Sequence, residues 1–182
     1  MKYRWWIIIA IVLFSIGIVF GLAAPDSITS LLSEELTSLE ELGGTLAPFT
    51  FSMFIFIFIK HVIALLVSFV LSPIFCLVPV LALAVNGWLV GLVSTIVMEE
   101  ESLGFVLAGL MPHGIIELSA LILGEAAALS FGAMVILVLF KKKDRSQLMP
   151  SLKQNLRYLV IAFALLVPAA IIETFVTPLL LK

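Results

Sequence analysis

Long apolar blocks dominate this chain, and short polar or proline-containing stretches separate them. Each block supplies the roughly 20 residues that an α-helix needs to cross the hydrocarbon core of a bilayer. The pattern therefore predicts an all-α, polytopic membrane helix bundle of about five spans. The predicted spans are residues 5–24, 49–71, 74–98, 115–140 and 158–181.

A polar segment between the first two blocks has a helical pattern of its own. In residues 26–42, apolar side chains recur at three- and four-residue intervals with glutamates between them. Gly43 and Gly44 follow, and glycine commonly ends a helix. We expect a short amphipathic helix here, on the outer surface or packed over the bundle.

The composition agrees with a membrane location. Hydrophobic residues make up 63% of the 182 residues and charged residues only 12%, with a mean hydropathy of +1.28. The first block is longer than a signal-peptide core of about 7–15 residues, so we interpret it as a span anchored by Trp5 and Trp6, with a cleaved signal ending at residues 22–24 as the alternative. Cys76 is the only cysteine, so no disulfide can form within one chain.

Basic residues predict how the spans are oriented. Lys and Arg accumulate on the cytoplasmic side of membrane proteins, and here they lie before the first span and in residues 141–157. We therefore expect the N-terminus and residues 141–157 in the cytoplasm and the C-terminus outside the cell membrane. The acidic stretches at 26–41 and 99–101 then fall outside as well.

This orientation constrains residues 102–140, which must lead from the outside to the inside. These 39 residues are too few for three crossings. One straight helix would be about 58 Å long, nearly twice a hydrocarbon core of about 30 Å. Proline removes a backbone donor and glycine permits a turn. We therefore expect a re-entrant or broken segment at 103–114, turning at residues 112–114, before the span at 115–140.

A second arrangement of the same region fits the sequence equally well. It places a helical hairpin at residues 103–124 and a short span at 125–140.

Six ionisable side chains lie within the apolar blocks. A charge left without compensation at the bilayer centre costs about 2.5–3.5 kcal/mol or more, so these groups should face protein, water or one another. They are Lys60, His61, His113, Glu117, Glu125 and Glu173.

Three hypotheses account for the polar residues around His113. His113 lies four positions before Glu117, on the same face of a helix, and Glu125 lies about 80° further round and could reach the same cavity. In the structural hypothesis, Pro112 breaks the helix, His113 caps it, and Glu117 pairs with His113 or Lys60. In the transport hypothesis, these groups line a conduit or proton relay. In the metal hypothesis, His113 and Glu117 bind a divalent ion, with His61 and Glu125 as further candidates.

Small residues mark predicted helix contacts. Gly87 and Gly91 form a small-xxx-small pair that lets another helix approach closely, and Asn86 can hydrogen-bond across that contact. A similar stripe contains Ala120, Gly124 and Ala128. We interpret both stripes as internal packing, with a homodimer interface as the alternative.

Several function classes lack any signal in this chain. The sequence has no Gly-rich phosphate loop and no basic groove, so we expect neither nucleotide nor nucleic acid as a partner. It has no serine elbow, no paired membrane aspartates and no His-Glu-x-x-His motif. We therefore expect no enzymatic activity and no cofactor other than the candidate metal ion.

Three stretches of sequence together resemble a known family. Residues 86–91 read Asn-Gly-Trp-Leu-Val-Gly, residues 111–120 read Met-Pro-His-Gly-Ile-Ile-Glu-Leu-Ser-Ala, and residues 124–128 read Gly-Glu-Ala-Ala-Ala. From about Phe58 to Gly132 the chain resembles the stage II sporulation protein M family, also called the DUF95 family of integral membrane proteins. The positions that the resemblance carries over are Asn86, Gly87, Gly91, Pro112, His113, Gly114 and Glu117.

The resemblance implies a role in assembling other proteins and does not imply a chemical reaction. Members have about five spans, and the sporulation member resembles a scaffold that helps assemble a peptidoglycan-remodelling complex for membrane engulfment. Other relatives are associated with production or export of circular bacteriocins. Many relatives have asparagine where this chain has Lys60 and His61, so this pair departs from the family pattern, and Lys60 is a candidate to neutralise Glu117.

The leading hypothesis is a non-enzymatic membrane scaffold or subunit, dimeric and bound to other membrane or cell-envelope proteins. A transporter or channel component is the alternative, and it requires a water-accessible cavity that connects the polar residues to one membrane face. An intramembrane divalent metal site is the second alternative.

Overall fold

The computed structural model describes residues 2–25, 28 and 49–181. In these residues the fold is entirely helical, and five helices are long and apolar enough to cross a membrane, which confirms the predicted bundle. The helices are α1 (Tyr3–Leu22), α2 (Phe51–Leu71), α3 (Leu77–Glu100), α4 (Leu103–Leu139), α5 (Leu148–Phe175) and the short α6 (Thr177–Leu180), with a 3₁₀ turn at Arg145–Gln147. The amphipathic helix predicted at 26–42 lies outside the described residues, apart from Ile28.

Polar residues begin two of the spans. Thr50 accepts a hydrogen bond from the Met53 N–H ahead of α2 (3.3 Å), and Ser102 accepts one from the Phe105 N–H ahead of α4 (3.2 Å). Each hydroxyl satisfies a backbone donor that has no partner within the helix. Between α2 and α3 the chain turns through Phe75 and Cys76, both at positive φ, close to the predicted boundary between the spans 49–71 and 74–98.

The structure corrects the predicted turn at residues 112–114. Helix α4 continues for 37 residues and contains Pro112 in its interior, and no described glycine has positive φ, so Gly114 forms no turn. In lipid every backbone group needs a partner, and one proline removes a single donor from an otherwise complete helix. The helix therefore continues, and residues 103–114 form neither a separate re-entrant segment nor one arm of a hairpin.

The excess length is accommodated by a long helical pair instead. α4 measures about 55 Å at 1.5 Å per residue and α5 about 42 Å, both longer than a hydrocarbon core of about 30 Å. α5 folds back along α4 and begins at Leu148, ten residues before the predicted start of the last span. Of the basic residues in the predicted cytoplasmic loop, those at 141–145 therefore lie at the end of this pair, and Lys153 and Arg157 lie within the first three turns of α5.

Glycines bring α1 and α3 into close contact. A Cβ atom on Gly87 or Gly91 would overlap carbonyl oxygens of α1, and one on Gly17 or Gly21 would overlap carbonyl oxygens of α3. Interfaces of small residues let membrane helices pack backbone to backbone. The predicted internal packing of Gly87 and Gly91 is confirmed, and its partner is the first span.

The small residues in the second half of α4 form the centre of the bundle. Ala120 and Ala128 are buried in a cluster with Leu65 of α2 and Leu159 of α5, and a Cβ atom on Gly124 would lie 2.8 Å from a Leu65 methyl carbon. Residues 120–128 of α4 therefore pack against both α2 and α5, whereas the first half of the helix borders the cavities described next.

Candidate functional site

Three helices bring ionisable side chains together inside the bundle. His61 comes from α2, Glu117 from α4 and Glu173 from α5. The His61 Nε2 atom lies 3.3 Å from Oε1 of Glu117, and each of the three residues offers a ligand atom within 4.8 Å of the others. Residues separated by 56 positions in sequence are thus joined because α5 folds back along α4.

His113 flanks this group from one turn earlier in α4. Its Nε2 atom lies 3.9 Å from Oε2 of Glu117, and its Nδ1 atom lies 3.0 Å from the Thr177 hydroxyl. The two carboxylate oxygens of Glu117 therefore face different histidines. Thr177, at the start of α6, fixes the orientation of the His113 ring.

The predicted pairing of His113 with Glu117 is confirmed, but the candidate ligand set differs from the predicted one. The three residues with mutually close ligand atoms are His61, Glu117 and Glu173, so His113 lies beside the group. Glu173 forms no ion pair shorter than 4.0 Å within the described part of the chain. The ion pairs of Glu117 are to the two histidines, and Lys60 is not among its partners at that distance.

A cavity of about 660 Å³ lies against this group. Lys60, His61, His113, Glu117 and Glu173 all line it. Apolar side chains of Val97, Phe105 and Leu181 form its other end, close to the connection between α3 and α4. The cavity thus extends from the polar group toward the connection between α3 and α4, where the predicted orientation places the outer membrane face.

A smaller and mostly apolar cavity of about 280 Å³ adjoins it, between α1, α3 and α4. His113 and Glu117 line both cavities. Asn86 and Gly114 line only the smaller one. Four of the seven family-motif residues, Asn86, His113, Gly114 and Glu117, therefore line one or both of these cavities.

Glu125 does not belong to this site, contrary to the expectation that it could reach the same cavity. Its side chain is 1% exposed and accepts a hydrogen bond of 2.5 Å from the Ser68 hydroxyl. Eight residues of helix separate it from Glu117 by about 12 Å along the axis, and small residues close the space around it. Glu125 satisfies its polar group inside a packed interface.

Asn86 also departs from its predicted role. Its amide nitrogen donates to the Ala82 carbonyl oxygen of its own helix (2.7 Å) and does not bridge α3 to α1. Close contact at Gly87 and Gly91 occurs backbone to backbone, which leaves the exposed Asn86 on the neighbouring face.

Sequence reasoning missed Thr177 and the place of Glu173 in the cluster. A threonine next to Pro178 near the end of an apolar block carries no distinctive signal. Glu173 was identified as an intramembrane polar residue, but only the antiparallel pairing of α4 and α5 brings it to Glu117.

Comparisons with known proteins cover almost the whole bundle. The family model for stage II sporulation protein M matches residues 10–178. An uncharacterized protein of Methanocaldococcus jannaschii is 29% identical over 173 residues, which is 94% of this chain and 93% of the relative. No solved structure matches. This multi-pass membrane protein belongs to the stage II sporulation protein M family.

Proposed function

We propose that this chain is a non-enzymatic subunit or scaffold of a larger assembly in the cell membrane. The observation that supports the proposal is the family match, which reaches from α1 into α6 and so includes every long helix. The family resemblance implies a member that assembles cell-envelope enzymes, and this sequence contributes no hydrolase motif of its own. Its partners are then other membrane or cell-envelope proteins.

Affinity purification in mild detergent, after crosslinking in native membranes, tests this role. We expect cell-envelope proteins to copurify in fixed proportion with the wild-type chain and with Glu117→Gln. An unrelated multi-pass protein with the same tag is the control. Recovery of the chain alone, with the crosslinker shown to be active, would contradict the proposal.

A second copy of the chain is a further proposed partner. The glycines that most favour a dimer contact already face each other between α1 and α3, so a homodimer needs a different surface. The mass of the crosslinked protein, determined in detergent and in membranes, distinguishes a dimer from a monomer. Gly91→Leu should destabilise the folded monomer, because Gly91 packs within one chain.

The proposed orientation has the N-terminus and residues 141–157 in the cytoplasm. It rests on basic residues before α1 and between α4 and α5. With Cys76→Ser as background, an impermeant maleimide added to intact cells should label Ser102→Cys and spare Lys142→Cys. The reverse pattern would invert the orientation.

The larger cavity favours a second candidate, a transporter or channel component. Five ionisable side chains share its wall, and such residues inside a membrane commonly mark ion or substrate pathways. Two glutamates and one lysine give the group a formal charge of −1 with both histidines neutral, which favours cations. Proteoliposome flux of protons or small cations should fall in Glu117→Gln and persist in Glu125→Gln; flux equal in wild type and Glu117→Gln would remove this site from the pathway.

A further inference from the structure

We propose that His61, Glu117 and Glu173 form a divalent transition-metal site, best matched to Zn²⁺, that joins α2, α4 and α5. The proposal goes beyond the assembly role, and its test needs no partner protein. One imidazole and two carboxylates are ligands that zinc accepts, and three protein ligands leave a fourth position for water or another ligand.

The distances suit this ion. Tetrahedral zinc with bonds of about 2.0–2.1 Å places its ligand atoms about 3.3 Å apart, and the His61 Nε2 to Glu117 Oε1 separation is 3.3 Å. All three ligand atoms lie within 4.8 Å of one another, so closing the set requires the Glu173 carboxylate to approach by about 1.5 Å or less. A flexible glutamate side chain achieves that by torsion changes without movement of the helix.

The state of Glu173 points to a bound cation independently of these distances. A His61–Glu117 pair satisfies those two side chains, but it leaves the Glu173 carboxylate without an ion-pair partner within the described residues. A carboxylate inside a membrane bundle needs a compensating charge. Lys60 acts electrostatically on both Glu117 and Glu173 and provides one positive charge for the two carboxylates, so further positive charge is needed. One cation between Glu117 and Glu173 supplies it to both.

The surroundings provide orientation and access. His113 lies 3.9 Å from the Glu117 oxygen that faces away from His61 and is itself held by Thr177, as groups outside a metal's ligand set commonly orient a ligating carboxylate. The cavity of about 660 Å³ gives an ion a route to the site. Lys60 also lines that cavity and repels a cation, so both carboxylates must be present for net attraction.

Zinc binding by the purified full-length chain in detergent tests the proposal. Metal analysis after equilibrium dialysis should give one Zn²⁺ per chain in wild type. His61→Ala, Glu117→Gln and Glu173→Gln should each lower the affinity at least tenfold. Glu125→Gln is the matched control because it neutralises a glutamate of the same helix outside the site, and its affinity should equal that of wild type.

Thermal unfolding gives a second readout that does not depend on counting metal. Because zinc would link three helices, saturating Zn²⁺ should raise the melting temperature of wild type and Glu125→Gln by about 5 °C or more, and that of Glu117→Gln by far less. Variants that elute as monodisperse protein without zinc are compared. Absence of one-to-one uptake, or equal zinc stabilisation in wild type and Glu173→Gln, would overturn the site.

Discussion

Two glutamates of α4, Glu117 and Glu125, stand eight residues apart in the same apolar helix and have opposite surroundings. The Glu125 side chain is 1% exposed and hydrogen-bonds to Ser68 among small residues. The Glu117 side chain is 28% exposed, contacts two histidines and lines two cavities. The first arrangement closes the bundle and the second leaves a reactive group accessible.

The difference arises from the neighbouring residues more than from the glutamates. Around Glu125, residues such as Gly124, Ala128 and Gly132 let α2 approach α4 closely. Around Glu117 the neighbours are His61 of α2 and Glu173 of α5, which are themselves ionisable. Their long polar side chains prevent the close helix packing that small residues allow. In this protein, the intramembrane glutamate surrounded by small residues has a structural role, and the one surrounded by other ionisable residues is the candidate binding site.

The largest effect should come from enlarging a glycine in the closed half of α4. A Cβ atom at Gly132 would overlap the Ser72 backbone carbonyl, whereas one at Gly114 meets only the Leu110 side chain at 3.7 Å. Overpacking costs about 1–3 kcal/mol, occasionally more, and the overlapped atoms here are backbone, which cannot rotate away. Gly132→Ala should therefore cost about 3 kcal/mol or more and lower the melting temperature in detergent by about 6–12 °C.

Gly114→Ala is the matched substitution in the open half. It should leave the melting temperature unchanged or raise it by a few degrees, since alanine favours helix by up to about 1 kcal/mol over glycine. Equal destabilisation by both substitutions would show that the two halves are packed alike.

Next in size is truncation of the buried glutamate. Glu125→Ala removes buried atoms and leaves the Ser68 hydroxyl without its partner, so we expect a loss of about 2–3 kcal/mol in the free energy of unfolding. Glu125→Gln keeps shape and acceptor and should lose less than about 1 kcal/mol. Chemical or thermal unfolding in detergent measures both values.

Glu117→Ala provides the contrast at the open site. Its side chain borders cavities, so water can replace lost contacts and the loss should be below about 1 kcal/mol. A larger destabilisation by Glu117→Ala than by Glu125→Ala would reverse the assignment of the two glutamates.

The rate of thiol modification should differ by about tenfold or more between the region beside the larger cavity and the closely packed region beside Gly132. Ser94 lines the larger cavity, while Ser72 is 0% exposed beside Gly132. In a Cys76→Ser background, a small hydrophilic thiol reagent should modify Ser94→Cys much faster than Ser72→Cys, because modification requires contact with water. Similar rates at the two positions would mean that the cavity is closed to water or that the Ser72 region opens.

The sequence predicted the number of long apolar helices because that signal is local. Apolar length alone identifies five of them, and Gly87 and Gly91 mark a close contact. The predicted turn at residues 112–114 was wrong. One membrane crossing uses fewer than the 39 residues of 102–140, but the sequence does not say whether a turn or a longer helix takes up the rest. In the structure the extra residues lengthen α4, and lipid favours this arrangement because the backbone hydrogen bonds of a continuous helix stay intact.

The site was only half predictable for a similar reason. The spacing of His113 and Glu117 on one helix is readable from sequence, as is the presence of His61 in another span. The meeting of His61 with Glu173 depends on which helices are neighbours, and no local pattern encodes that. Glu125 was grouped with Glu117 from helical angle alone, which ignores the 12 Å or so of axial distance between them.

The smallest effect concerns Thr177, which borders the open site without belonging to the proposed ligand set. Thr177→Val removes the hydroxyl bonded to His113 and should cost about 0.5–1.5 kcal/mol, at the low end because His113 lies on a cavity wall where water can take its place. Thr177→Ser retains the hydroxyl and should match wild type. We expect zinc affinity to stay within about threefold, since the removed group acts on His113 and only through it on Glu117, whereas groups that directly orient a ligand change affinity by about 10–100-fold. A loss of tenfold or more would mean that His113 is itself a ligand of the metal, and the proposed ligand set of His61, Glu117 and Glu173 would then be incomplete.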